Sequence, residues 1–293
     1  METTRREMLR AQRAEVTEHL IYLKLAASIS DERNADILRR IARDEQRHHD
    51  FWASLTGQTV QPNRARATWY VWLGRLFGVT FALKLMERGE LISASSYAKM
   101  QDIDGIQRIV HDEEEHERAL IDLLHDEPLE YAGSVVLGLN DALVELTGAL
   151  AGLTLAFANG RVVAMAGLIT GIAASLSMAA SEYLSSKSEA DVAGGGQGPK
   201  SPGKAAVYTG AAYVLAVIFL ILPFFLISNV FVALASTLSI AVLIIAAFTF
   251  YISIARELRF LPRFLEMAGI SLGVAAISFG IGFVVRKVFG VDV

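Results

Sequence analysis

Two stretches of the N-terminal half repeat one spacing: DEQRHH sets Glu45 and His48 three residues apart, and DEEEH sets Glu113 and His116 likewise. Residues at i and i+3 share a helix face, so each pair brings a carboxylate oxygen and an imidazole nitrogen to one place. Those are donors for divalent transition metals. A helical bundle that binds two metal ions takes a Glu from each of two helices and Glu-x-x-His from each of the other two, all pointing inward. Glu15 and Glu18 in AEVTEHLIY, with Glu87 and Glu90 in LMERGELIS, are the candidates for the single-Glu helices. One Glu-x-x-His arises readily on a solvated charged face; two, interleaved with Glu-bearing segments, point to a di-metal site. The run HDEEEHERAL (111–120) agrees with this, because like charges at i,i+4 cost helix stability and a bound cation relieves the cost. Asp112, Glu114, Glu115 and Glu117 then read as a solvated acidic surface on other faces, some of it able to funnel cations. His19, His49, His111 and His125 read as surface or supporting residues.

The elements that must position these residues are four helices, predicted at about 5–29, 32–56, 66–100 and 103–125. Ser30-Asp31, the polar TGQTVQPN stretch around Pro62, and Asp102–Asp104 carry the turn and capping chemistry that separates them. The stretch WYVWLGRLFGVTFALKLM (69–86) is open to two readings: an interfacial helix with its Trp and Tyr at headgroup level, or a helix packed in the bundle or against a second subunit.

Composition divides the chain. Residues 1–132 hold 18 Lys+Arg against 23 Asp+Glu, a net of −5, and residues 133–293 hold 9 against 8, a net of +1. All six histidines precede residue 126. No clustered Lys/Arg face is present to bind phosphates, which excludes nucleic acid as the expected partner. With no cysteine, a metal must be held by carboxylate, imidazole, thioether or backbone oxygen. The N-terminus lacks an apolar run with a small-residue cleavage site, so a cytoplasmic N-terminal domain is expected.

After Pro128, five stretches are long enough to cross a bilayer of roughly 30 Å: about 133–158, 162–185, 206–228, 230–254 and 264–286. With the N-terminus inside, Lys187, Lys200, Lys204, Arg256, Arg259 and Arg263 fall in cytoplasmic loops, against Arg161, Arg286 and Lys287 outside, as the positive-inside rule prefers. The stretch 187–204 reads as a flexible linker. Gly148/Gly152 and Gly167/Gly171 permit close helix packing. Within the spans, Asp141 and Glu145 share one face and Met178 and Glu182 another; intramembrane carboxylates are costly and mark function. Antiparallel spans would gather Asp141, Met178 and Glu182 around one site roughly 12 Å deep, with Glu145 a turn deeper. The bland alternative has Glu182 snorkelling and Met178 in packing. A carboxylate–thioether site suits a transition metal over an alkali cation.

SVVLGLNDALVELTGALAG (134–152) and GIAASLSMAASEYLSSKSE (171–189) resemble the first two spans of the vacuolar iron transporter family. The matching positions are Asn140, Asp141, Glu145, Ser177, Met178, Glu182 and Tyr183, and the likeness covers about 130–293. The resemblance implies export of Fe2+, often Mn2+, from the cytosol by proton antiport, in a dimer with the path at the interface. Plant members carry a Glu- and Met-rich metal-collecting insert after the second span; here 187–204 holds only Glu189 and Asp191. Residues 8–125 resemble rubrerythrin-type, ferritin-like di-iron bundles. That resemblance selects Glu15, seven residues before Tyr22 and eleven before Ala26, places the Glu-x-x-Glu on Glu87 and Glu90, and admits Glu18 by internal symmetry.

The expected protein is therefore all-α: a ferritin-like four-helix bundle (1–127) followed by a five-span transmembrane domain (128–293). The metal ligands are Glu15, Glu18, Glu45, His48, Glu87, Glu90, Glu113 and His116, holding iron with Mn2+ or Zn2+ as substitutes. Asn140, Asp141, Glu145, Met178 and Glu182 form the transport path. The pair of resemblances matches the combined ferritin-like and vacuolar-iron-transport membrane proteins, and implies an Fe2+/H+ exporter of the inner cell membrane, with Fe2+, protons and lipid as partners and a homodimer as the assembly. The alternatives are a membrane-anchored ferroxidase or peroxidase, a sensor bundle that gates transport, and Mn2+ as cargo.

Overall fold

The first helix boundary is set by a side chain. Asp31 sits in extended backbone and its carboxylate accepts from the Asn34 N–H at 3.1 Å, supplying one of the donors that a helix start leaves without a partner. It separates α1 (Glu2–Ala26) from α2 (Glu32–Thr56), which ends at Gly57 in the left-handed region, φ 66°. Asn63 repeats the device, accepting from Arg66 N–H at 3.0 Å to start α3 (Arg64–Phe77). These observations come from a computed structural model that describes residues 2–86, 88, 103, 105–122, 131–192 and 201–289. Among them all regular structure is helical.

One predicted element is corrected. The third helix, read as continuous over 66–100, breaks at Gly78, whose φ of 94° suits a residue without Cβ. Helix resumes over 79–86. Glu87 and Glu90 lie outside the described residues. The fourth predicted segment is α4 (Ile106–Asp122).

The chain divides into two compact units, Met1–Leu129 and Glu130–Val293. The first has its core where Ile21, Leu25, Leu38, Ile41, Val71 and Met86 meet, with a smaller cluster of Trp52, Ile106 and Ile109. Apolar residues spaced three and four apart along α1 and α2 make that face. Gly74 lets α3 approach, since a Cβ there would lie 2.6 Å from Leu25.

The second unit has five helices long and apolar enough to cross a membrane, making the protein an integral membrane protein. They are α5 (Ala132–Phe157), α6 (Gly160–Val192), α7 (Pro202–Leu226), α8 (Val230–Ala255) and α9 (Phe260–Phe289). Both ends of 187–204, read above as a flexible linker, are helical: α6 runs on to Val192 and α7 begins at Pro202. Within α5, residues Ala142–Leu146 form a π-helical turn. Ser271 of α9 donates to the Leu143 carbonyl of that turn at 2.5 Å.

The small-residue faces expected to pack helices do so within the chain. Cβ atoms at Gly148 and Gly152 would meet Val274 and Ser278 of α9 at 2.9 Å, and one at Gly171 would meet Val217 of α7 at 2.7 Å. These faces are consumed internally and carry no argument for a dimer. Gly282 is the tightest point of the α5–α9 crossing, where any Cβ would overlap the Gly152 carbonyl oxygen. Gly282→Ala should destabilise the membrane unit by about 1–3 kcal/mol, as overpacking does. Thermal unfolding in detergent, compared with Gly280→Ala in open space, checks this.

Candidate metal centre

Three helices of the first unit turn carboxylates inward at one level. Glu15 on α1, Glu45 and His48 on α2, and Glu113 on α4 each offer a ligand atom, and these atoms all lie within 4.8 Å of one another. Glu15, Glu45 and His48 are buried and Glu113 is partly exposed, so the cluster has one open side. His116 belongs to it as well. His48 Nδ1 is 3.5 Å from Glu15 Oε2, 3.6 Å from Glu45 Oε2 and 3.4 Å from Glu113 Oε1. His116 Nδ1 is 3.4 Å from Glu45 Oε1 and 3.7 Å from Glu113 Oε2. Glu45 and Glu113 thus each turn one oxygen toward His48 and the other toward His116, whose ring centroids are 5.9 Å apart.

The far side of each ring is held by a residue that the sequence reading did not assign this work. His48 Nε2 lies 3.2 Å from Asp112, and His116 Nε2 lies 3.2 Å from Asp44. Each acid immediately precedes the glutamate of the opposite helix, so the two Asp-Glu-x-x-His stretches clasp each other reciprocally. With Nε2–H donated to the aspartate, Nδ1 is the nitrogen left to face the glutamates, the arrangement that fixes tautomer and ring orientation for metal ligation. Asp112 is therefore not simply part of a solvated surface. The doubled DE before x-x-H was the available signal.

Glu18, one turn along α1 from Glu15, is buried with its nearest cation, Arg66 of α3, at 3.8 Å. Glu15 accepts from the Trp52 indole N–H at 3.1 Å. Among the other histidines, His19 Nδ1 meets the Ala42 carbonyl at 2.6 Å, His49 is buried against Gln12, Gln46 and Asp50, and His111 is exposed beside Glu115. His125 lies outside the described residues.

Burial sets the electrostatics. It pushes the Glu15 carboxyl up to about 8, with His48 opposing and Glu45 reinforcing, and it drives Glu18 well above the usual carboxylate range. Burial also disfavours imidazolium, but Glu113 and Glu45 outweigh it and raise His116 to about 10. Glu113, Glu15 and Glu45 raise His48 in the same way. Burial works against an ionised Glu113 too, yet His116 and His48 hold it down at about 2. Glu18 Oε1, Glu45 Oε2 and both Nδ1 atoms are buried with no hydrogen bond, which is costly in a protein interior. A divalent cation at the shared centre would satisfy Glu45 Oε2 and the two Nδ1 atoms at once, and the donor set of carboxylate and imidazole suits iron, manganese or zinc.

In the membrane unit, Tyr213 of α7 donates to Glu145 Oε2 at 3.3 Å, on the π-helical turn. Asp141 immediately precedes that turn, half-buried like Asn140. Glu182 accepts from Ser134 Oγ at 2.6 Å and from Ser186 Oγ at 3.5 Å. Ser134 lies seven residues before Asp141, so Glu182 stands roughly 10 Å from the Asp141 level along α5. Met178 packs on the apolar core of the unit. The structure thus brings Glu145 to Tyr213 and Glu182 to Ser134, near the start of the span.

Residues 132–195 match the VIT family, the vacuolar iron transporters. The match takes in α5 and α6 and contains Asn140, Asp141, Glu145, Met178 and Glu182. It suggests membrane metal-ion transport. No curated protein matches the chain.

Two outcomes follow from this geometry. Glu15 and His116 bind protons more tightly folded than unfolded, so their contribution to stability is present at low pH and lost as pH rises through their folded values. The metal-free protein should lose thermal stability from about pH 4.5 toward 10, through Glu15 up to about 8 and through His116 from 6.5 to about 10, and saturating Zn2+ at neutral pH should raise that stability. Replacing Asp44 and Asp112 by Asn should weaken metal binding about 10–100-fold with helicity unchanged, read by competition against a chromogenic chelator.

Proposed function

We propose that the protein exports Fe2+ across a membrane in exchange for protons, and that its N-terminal unit is a ferritin-like di-iron bundle which binds the metal before transport. The observation that carries the reading is a carboxylate pair, Asp141 and Glu145, inside the segment that matches a metal-transport family, in a chain whose other unit converges Glu15, Glu45, His48 and Glu113 on one point. An ionisable pair at that depth is expensive in lipid and is kept where ions or protons pass. Protonation of either carboxylate as metal leaves would couple the two fluxes.

Under this reading residues 1–127 form the bundle and 128–293 the transporter. Glu15, Glu45, His48, Glu113 and His116 are the metal ligands, with Glu18, Glu87 and Glu90 completing the set. Asn140, Asp141 and Glu145 line the path, and Met178 and Glu182 lie toward its start. The N-terminal unit faces the cytoplasm of the inner cell membrane, and the assembly is a homodimer. Mn2+ shares the donor preferences and is a competing cargo.

A second reading makes the bundle a ferroxidase that the spans merely anchor, and the buried donor cluster favours it. One experiment separates the two. Fe2+ and Mn2+ flux into proteoliposomes under an imposed pH gradient, measured for wild type and Asp141→Ala, should be gradient-dependent and collapse in the variant by at least tenfold, a loss of about 1.4 kcal/mol or more. Wild-type flux no greater than that of empty vesicles, with Fe2+ oxidation intact, rejects export and moves the activity to the bundle.

A further inference from the structure

The N-terminal unit is acidic, yet one long stretch of it is not. From Phe51 to Met86 the sequence holds Arg64, Arg66, Arg75 and Lys84 and no acidic residue, inside a half whose net charge is −5. Helix α3 lies in this stretch. Its inner stripe, Ala67, Val71 and Gly74, packs on the core.

Its outer stripe is apolar as well. Trp69, Trp72, Leu76 and Phe77 are 56, 52, 57 and 38 % exposed, and the two indoles stack with centroids 5.6 Å apart. These are four of the seven large hydrophobics exposed among the described residues of this unit, gathered on one side of one helix. Positions 65, 69, 72 and 76 advance by three and four, so they form one continuous line along the helix. Arg64 and Arg75 flank it, both exposed. Arg66 is occupied elsewhere, between Glu18 and the face of Tyr70.

We propose that this face of α3 is a membrane-surface anchor, seating Trp69, Trp72, Leu76 and Phe77 at the headgroup–acyl boundary of an anionic bilayer with Arg64 and Arg75 among the headgroup phosphates. Three observations select a bilayer over a second copy of the chain. Indole and guanidinium side by side are the composition that settles at a lipid interface, where one end is apolar and the other wet. The charge is complementary to anionic lipid, each basic residue near the surface contributing attraction that fades within a Debye length. And the chain tethers its own N-terminal unit to a membrane through five apolar helices, so the occupant is always within reach without a bimolecular encounter. The inference stands apart from the metal reading.

The tryptophans provide the test. The chain has three, Trp52, Trp69 and Trp72, none of them in the membrane half, and Trp52 is fully buried. Full-length protein is reconstituted in phosphatidylcholine–phosphatidylglycerol vesicles with and without bromine on the acyl chains. Brominated lipid should lower the emission about twofold or more, since two of the three indoles lie at the acyl boundary. Trp69→Phe with Trp72→Phe should abolish the loss, and vesicles of phosphatidylcholine alone should weaken it. Emission unchanged by bromine overturns the proposal: if aqueous iodide quenches instead, the face is in water, and if neither quenches, a second copy covers it. Quenching that survives in the double variant comes from Trp52 and overturns it equally.

Discussion

Burying like charges is the demand around which the N-terminal unit is organised. Glu15, Glu18 and Glu45 leave water together, and an ionised carboxylate in an apolar interior is tolerated only when paired, protonated or bound to a cation. The two imidazoles supply part of the compensation, which is why His48 and His116 are held toward the charged form while Glu113 is held ionised. What they leave over is a set of unmet donor and acceptor atoms with a shared centre. The two aspartates make this arrangement rigid. Each spans from the helix of one Glu-x-x-His to the imidazole of the other, so α2 and α4 cannot shift relative to each other without breaking both contacts.

The membrane unit meets the same problem with fewer partners. Glu145 is tied to Tyr213 and Glu182 to Ser134 and Ser186, so each of these two carboxylates has at least one hydroxyl from a neighbouring segment. Backbone demands are met locally, because lipid offers none. Glycine-to-backbone contacts between α5 and α9 bring the helices close enough for Ser271 to reach a carbonyl of the π-helical turn. Close packing and the irregular turn are therefore one feature rather than two.

Much of this was legible in the residues. The five spans follow from apolar length alone, and their observed bounds lie within a few residues of those expected except at the C-terminal end of α6. The Glu-x-x-His pairs were readable because i,i+3 spacing survives any tertiary arrangement. Asp44 and Asp112 were not, since an acid beside a ligand looks like any solvated acid until a second helix approaches. Gly78 was hidden because a glycine inside a helical pattern signals a break only when its φ is positive. The partners of Glu182, Ser134 and Ser186, are not legible either, since the register of two antiparallel helices is fixed only when they pack.

The π-helical turn has a consequence for how the first span can change. A turn with i→i+5 bonding carries one residue more than the surrounding helix, and each residue of an α-helix rotates the face by about 100°. The extra residue lets the stretch before it, ending in Asp141, and the stretch after it, carrying Gly148 and Gly152, follow separate phases. Deleting Ala142 or Val144 would leave both carboxylates in the sequence and the span apolar, yet would swing the acid away from the face set by the glycines. Length, not only identity, is under constraint in that turn: the span behaves as two short helices whose angular offset is recorded by one residue.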